Sequence, residues 1–226
     1  MSGKWPASIR AWTCGGISEM ASSKPWDGVS RSKPLVVILC LLPFAGLVWL
    51  AIGNHLGPDP AKRLVDELGL WAIRMLLLCL AMTPLRLLSG RSLWIRYRRM
   101  LGLFALFYAV VHVSAYVFLL FGADWERLAP ELIKRPYIIV GLAAFLMLLP
   151  LGLTSTRGWQ RRLKGRWVQL HKLIYPLSLL ALLHFTWVKK LGIVAIWPYA
   201  LALIALMGIR IWARFHQSAK ESVSAS

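Results

Sequence analysis

Acidic residues are scarce in this chain of 226 residues: 9 Asp and Glu stand against 27 Lys and Arg, a formal net charge of +18. Charge of either sign is itself sparse, at 16%, where a soluble globular domain carries about 25%. Only three cysteines are present, too few for a disulfide framework. No G-x-G-x-x-G follows a strand-like run, so no dinucleotide-binding segment is expected within this sequence. No signal-peptide apolar core precedes the first long apolar stretch. The basic balance alone would suit a nucleic-acid binder, but the 58% hydrophobic share does not, and no nucleic-acid partner is expected. The same share excludes disorder for most of the chain.

What the chain does have is long apolar runs. A transmembrane helix needs about 20 mostly apolar residues. Runs free of Asp, Glu, Lys and Arg cover Pro34–Pro58, Met100–Ala123, Pro136–Thr156 and Leu191–Ile209. Leu68–Leu85 is interrupted only by Arg74, and Leu173–Val188 reaches spanning length when Trp167–Lys172 are added. The pattern predicts an all-α integral membrane protein, a six-transmembrane-helix bundle lying in membrane lipid. No period-2 alternation of porin type is present.

The basic residues orient the bundle, because Lys and Arg are retained in the cytoplasm. With both termini inside, 19 of the 27 fall on the inner side and seven on the outer side, with Arg74 inside a span. Six of the nine acids fall outside. The expected topology is therefore N-in, C-in. Trp49, Trp71, Trp94, Trp125, Trp159, Trp167, Trp187, Trp197 and Trp212 all fall near expected interfaces, where amphipathic rings sit well. Residues 1–33 read as a cytoplasmic tail without an apolar run, expected to be disordered, with Met1–Glu19 dispensable because Met20 offers an alternative start. Residues 34–214 form the helical domain and 215–226 a cytoplasmic C-terminal tail.

Ionisable residues inside a membrane are costly and are functional candidates. Those here are Arg74, His112 and His184, with His171 at the inner interface. His55 lies at the outer end of the first span and His216 in the C-terminal tail. At about 1.5 Å per residue, His112 lies roughly 18 Å along the third span and His184 roughly 21–25 Å along the fifth, both counted from the inner side. Two imidazoles at one level suit a haem iron held between helices 3 and 5. Without carboxylate or cysteine at that depth, a zinc or di-metal site is disfavoured. Ala105, Tyr108, Ala109, Ala115 and Tyr116 share the His112 face, so small residues admit a flat macrocycle while tyrosines offer hydrogen bonds. The bland alternative is ordinary packing of small residues. No C-x-x-C-H occurs, so any haem is non-covalent and b-type.

His171 precedes His184 by 13 residues, roughly 20 Å along a helix. That spacing suits a second haem. However, 13 residues place the rings about 140° apart around a straight helix, and the facing positions of the third span are Arg98 and Arg99. Pro176 softens the angular objection by permitting a kink. Three readings stay open for His171: an alternative ligand, a second-haem ligand, or part of a flavin or quinone site. Arg74 has two: pairing with a haem propionate, or snorkelling to water. Most inner arginines read as topology signals. Arg98, Arg99 and Arg166 are the candidates for a flavin or donor role. Cys14, Cys40 and Cys79 show no metal spacing.

Three stretches together resemble a known family. They are Leu70-Trp71-Ala72-Ile73-Arg74 with Thr83-Pro84-Leu85-Arg86, Arg98-Arg99-Met100-Leu101-Gly102-Leu103 with Tyr108 and His112, and Trp167-Val168-Gln169-Leu170-His171-Lys172-Leu173-Ile174-Tyr175 with His184 and Trp187. The family is MsrQ, formerly YedZ, within the ferric-reductase-like transmembrane group, and the likeness covers Leu35 to Arg214. It implies haem b and FMN in the inner membrane of Gram-negative bacteria. It implies electrons taken from the quinone pool or a cytoplasmic flavin reductase and passed to a periplasmic molybdopterin reductase, MsrP, which repairs oxidised methionines. The family's haem histidines correspond to His112, His171 and His184. Methionine-sulfoxide chemistry itself is expected in the partner. The competing readings are a ferric-reductase-like or superoxide-generating cytochrome with another acceptor, and a cofactor-free scaffold or transporter.

Overall fold

The computed structural model describes the backbone of residues 27–188 and 193–224, and the side chains of 32–188, 196–213 and Phe215. It is helical throughout, with no strand among the described residues. Helix α1 runs Asp27–Ile52, α2 Pro60–Ser89, and α3 Leu93–Ala115, which continues as a π-helical turn over Tyr116–Leu120. Then come α4 (Trp125–Lys134), α5 (Pro136–Leu153), α6 (Arg157–Leu163), α7 (Gly165–His171), α8 (Ile174–Val188) and α9 (Ile193–Ser224). The chain divides into two compact units, Met1–Ile38 and Leu39–Ser226, and the second holds the remainder of α1 and all later helices.

Six helical segments are long and apolar enough to cross a membrane: Ser32–Ile52, Pro60–Ser89, Leu93–Leu120, Pro136–Leu153, Gly165–Val188 and Ile196–Ala213. Each corresponds to one of the six apolar runs. Expectations for Met1–Glu19 lie outside the described residues. The last seven residues of the expected tail, 27–33, are helical, and so are residues 215–224.

Local chemistry sets the helix ends. Asp59 caps α2 through its side chain, accepting from the Lys62 N–H at 3.1 Å, and Pro60 occupies the first turn where no donor is needed. Gly90 closes α2 in the left-handed conformation (φ 66°), its N–H donating to the Arg86 carbonyl at 2.9 Å. Asp124 caps α4, accepting from the Glu126 and Arg127 N–H groups. Pro136 opens α5.

The fifth span is broken at residues 172–173. Pro176 has no N–H for the Lys172 carbonyl, which instead accepts from Tyr175 at 3.1 Å, while Leu173 donates to Leu170 at 3.0 Å. The break separates His171 on α7 from His184 on α8.

Helix α2 packs chiefly on α3, and α5 on α8, with α9 laid against α2. Tyr108, Leu68, Leu80 and Leu177 are fully buried. Leu146, Ile139, Leu179, Leu201 and Ile204 point outward, as expected of helices solvated by lipid chains.

A proline inside α2 creates a demand that α9 meets. Pro84 cannot donate to the Leu80 carbonyl, and Arg210 of α9 donates to that oxygen at 2.5 Å. Arg210 is buried, with its guanidinium 5.8 Å from the Tyr175 ring centre.

Candidate functional site

The sequence places His112 on the last turn of α3 and His184 on α8, and the fold brings their rings together. Their centroids are 6.3 Å apart and their planes inclined at 77°. His112 Nδ1 lies 2.9 Å from the Val65 carbonyl of α2. His184 Nδ1 lies 2.7 Å from the Tyr137 carbonyl of α5. A carbonyl only accepts, so each imidazole donates Nδ1–H, and Nε2 of each is the unprotonated nitrogen in the neutral ring. Neither Nε2 has a hydrogen bond among the described residues. Two fixed imidazoles, each with a lone pair at Nε2, could hold one metal centre between them. No group of three or more His, Cys, Asp or Glu exists among the described residues, so a polydentate metal cage is absent there.

Sequence reasoning overlooked two glycines at this site. A Cβ on Gly69 would stand 2.9 Å from His112 Cε1, and one on Gly141 would stand 2.6 Å from His184 Nδ1. Both rings therefore lie on bare helix backbone. The available signal was a glycine inside each apolar helix, where alanine is the better helix former.

Tyr108 is fully buried one turn before His112, and its hydroxyl donates to the Cys40 carbonyl of α1 at 2.7 Å. Its ring stacks on Trp71, 6.3 Å away. The hydroxyl thus ties α3 to α1. Arg74 sits over the Trp71 ring at 4.7 Å, and its Nε donates to the Tyr199 hydroxyl of α9 at 3.1 Å. Arg74 is half-buried and joins α2 to the sixth span.

At the other end of the bundle, where α3 begins and α5 ends, lies a cavity of about 230 Å³. Arg98, Arg99, Ser155, Gln160, Trp167 and His171 supply its polar and aromatic lining. The cavity brings His171 together with Arg98 and Arg99, but not with Arg166, which is exposed elsewhere on α7. His171 Nδ1 lies 3.1 Å from the Trp167 carbonyl and its ring 4.0 Å from the Trp167 ring. Cys79 and Cys40 are buried free thiols, and Cys79 Sγ donates to the Arg98 carbonyl. Cys14 lies outside the described residues.

The profile of the ferric reductase like transmembrane component family matches residues 68–182, which contain His112 and His171 but end just before His184. The chain is 48% identical over 196 residues to the "protein-methionine-sulfoxide reductase heme-binding subunit MsrQ" of Xanthomonas axonopodis pv. citri (strain 306), covering 84% of this chain and 90% of that protein. It is 51% identical over 192 residues to the protein of that name in Xanthomonas campestris pv. campestris (strain 8004), covering 82% and 88%. With the one in Polaromonas naphthalenivorans (strain CJ2) identity is 40% over 196 residues, covering 85% and 90%. Identity at this level over nearly the whole helical region means that the chain belongs to the MsrQ family of multi-pass membrane proteins.

Proposed function

We propose that this chain is the membrane electron-carrying subunit of a protein-methionine-sulfoxide reductase system, with one haem b held between His112 and His184. The observation that carries the reading is the imidazole pair. Two rings bonded through Nε2 to one metal at about 2 Å each, with about 1 Å more to each ring centre, place the centroids roughly 6 Å apart; the observed spacing is 6.3 Å. A haem held there would supply one-electron chemistry between the ferric and ferrous states. The chain's residues do the rest. The Val65 and Tyr137 carbonyls hold the ring tautomers, the helices exclude water, and Arg74 and Tyr108 brace the α2–α3 wall beside the site.

The charge pattern supports an N-in, C-in orientation in the bacterial inner membrane. Arg86, Arg91 and Arg96 cluster at the end bearing the Arg98–His171 cavity, while Asp59, Asp66, Glu67, Asp124, Glu126 and Glu131 lie toward the His112–His184 end. Electrons then enter at the cavity end, from the quinone pool or a cytoplasmic flavin reductase, and leave toward a periplasmic MsrP-type molybdopterin reductase. The FMN of the family reading belongs at the cavity, where Arg98 and Arg99 offer cations for its phosphate. The cavity lining holds His171 but no second imidazole to face it, which a second bis-histidine haem would need. A ferric-reductase-like cytochrome with another acceptor is the second reading, favoured by the family profile match.

Optical spectroscopy tests the proposal. The full-length protein in detergent should give a reduced-minus-oxidised b-type spectrum, which His112→Ala and His184→Ala each abolish or strongly reduce. Full retention of haem in both variants overturns the ligand assignment. Electron delivery to a periplasmic methionine-sulfoxide reductase, compared with delivery to a ferric chelate, separates the two acceptors.

A further inference from the structure

We infer that Gly69 and Gly141 are positioning residues, each the base of a histidine seat, and that the two seats are structural repeats of one another. The inference rests on the reading that His112 and His184 bind haem. In the first seat, the Val65 carbonyl accepts from His112, Gly69 follows four residues after Val65, and His112 follows 47 residues after Val65. In the second, the Tyr137 carbonyl accepts from His184, Gly141 follows four residues after Tyr137, and His184 follows 47 residues after it. In both, carbonyl and glycine lie near the start of one helix and the histidine near the end of the helix packed on it: α2 with α3, α5 with α8. Equal separations in two such hairpins deliver the two rings to one level of the bundle.

The offset of four residues has a physical reason. The carbonyl of residue i in an α-helix already accepts from the N–H of residue i+4. The side chain at i+4 stands beside that oxygen and screens its second lone pair from a neighbouring helix. Glycine at i+4 removes the screen, so an imidazole can lie flat on the backbone and donate Nδ1–H to the same oxygen. The added Cβ at either glycine falls within 2.6–2.9 Å of the ring, a contact that displaces the imidazole. Displacement breaks the Nδ1 bond and with it the control of which nitrogen faces the metal. Among other helix glycines, Gly46 and Gly208 have nothing within 4 Å of an added Cβ, while one on Gly152 would clash with the Leu106 side chain, so close helix packing uses glycine elsewhere too. What sets the two seats apart is the imidazole over the glycine and the accepting carbonyl four residues before it.

The test uses the full-length, haem-loaded protein in detergent with four single changes: Gly69→Ala, Gly141→Ala, Gly46→Ala and Gly208→Ala. The first two should weaken haem retention about 10–100-fold, the usual cost of losing an outer-shell partner. They should also alter the low-spin bis-imidazole electron paramagnetic resonance signal and shift the midpoint potential. The last two should match the parent in all three. Parent-like signal, potential and retention in both Gly69→Ala and Gly141→Ala overturn the seats while leaving the haem ligands standing. Full haem retention in His112→Ala and His184→Ala overturns the ligand reading instead. If the alanine variants do not accumulate, the parent protein labelled with ¹⁵N-histidine decides by pulsed resonance. Two neutral axial imidazoles, each with a slowly exchanging Nδ1–H, support the seats; an imidazolate or an Nδ1-bound ring overturns them.

Discussion

His112 and His184 meet across the bundle with ring centroids 6.3 Å apart and planes 77° from parallel. One belongs to the third span and the other to the fifth, and 72 positions of sequence separate them. If these rings held a haem at that angle, their crossed planes would act equally on the dxz and dyz orbitals of the ferric iron and leave those two nearly degenerate. The oxidised protein is therefore expected to show a large-gmax low-spin resonance, not the rhombic signal of parallel rings. His171→Ala should leave that signal unchanged, because His171 lies in the cavity at the other end of the bundle. A rhombic signal in the parent, or loss of the signal in His171→Ala, would show that the observed pair is not the axial pair.

Flavin content should separate the arginines. Arg98 and Arg99 line the His171 cavity, whereas Arg166 does not. Arg98→Ala and Arg99→Ala are expected to lower FMN recovered from the purified protein severalfold, since charge-assisted phosphate contacts are the stronger hydrogen bonds. Arg166→Ala should leave FMN recovery unchanged. Equal recovery from all three variants removes the cavity as the flavin site.

Tyr108 is a tie between helices, and its substitutions should grade accordingly. Tyr108→Phe removes one hydrogen bond to the Cys40 carbonyl and is expected to cost about 0.5–1.5 kcal/mol in detergent unfolding. Tyr108→Ala empties a fully buried site and should cost about 3–5 kcal/mol. Haem content should survive the first change. Loss of haem in Tyr108→Phe at near-native stability would assign the hydroxyl to the cofactor.

Arg210 and Pro84 should be coupled through the Leu80 carbonyl. Arg210→Met strands that oxygen, because Pro84 has no N–H to give it. In the Pro84→Ala background the helix supplies its own donor, so Arg210→Met should be less harmful by about 1–3 kcal/mol, the penalty of an unpaired buried acceptor. A double-mutant cycle by thermal unfolding measures the difference, and an additive cycle would disprove the link.

The six spans are legible in the sequence because lipid imposes a length and a composition that few other segments meet. Arg74 interrupts the second run without breaking it, and the fold accommodates the charge by pairing it with Trp71 and Tyr199. The depth of His112 and His184 was likewise legible, since helical rise is constant. The partners of Tyr108 and Arg74 were not, because a helical period assigns a face without naming which neighbour covers it. Pro176 signalled a possible break, but whether it separated His171 from His184 depended on how the freed Lys172 carbonyl found another donor.

Composition and run length alone thus determine a basic, six-span membrane protein with two histidines at a common depth. These are properties of single segments in a uniform solvent. The tertiary structure decides which carbonyl orients each imidazole, why Gly69 and Gly141 must lack a side chain, and how Arg210 answers Pro84. Each of those depends on the closest approach of two helices, a distance set by packing between segments remote in sequence.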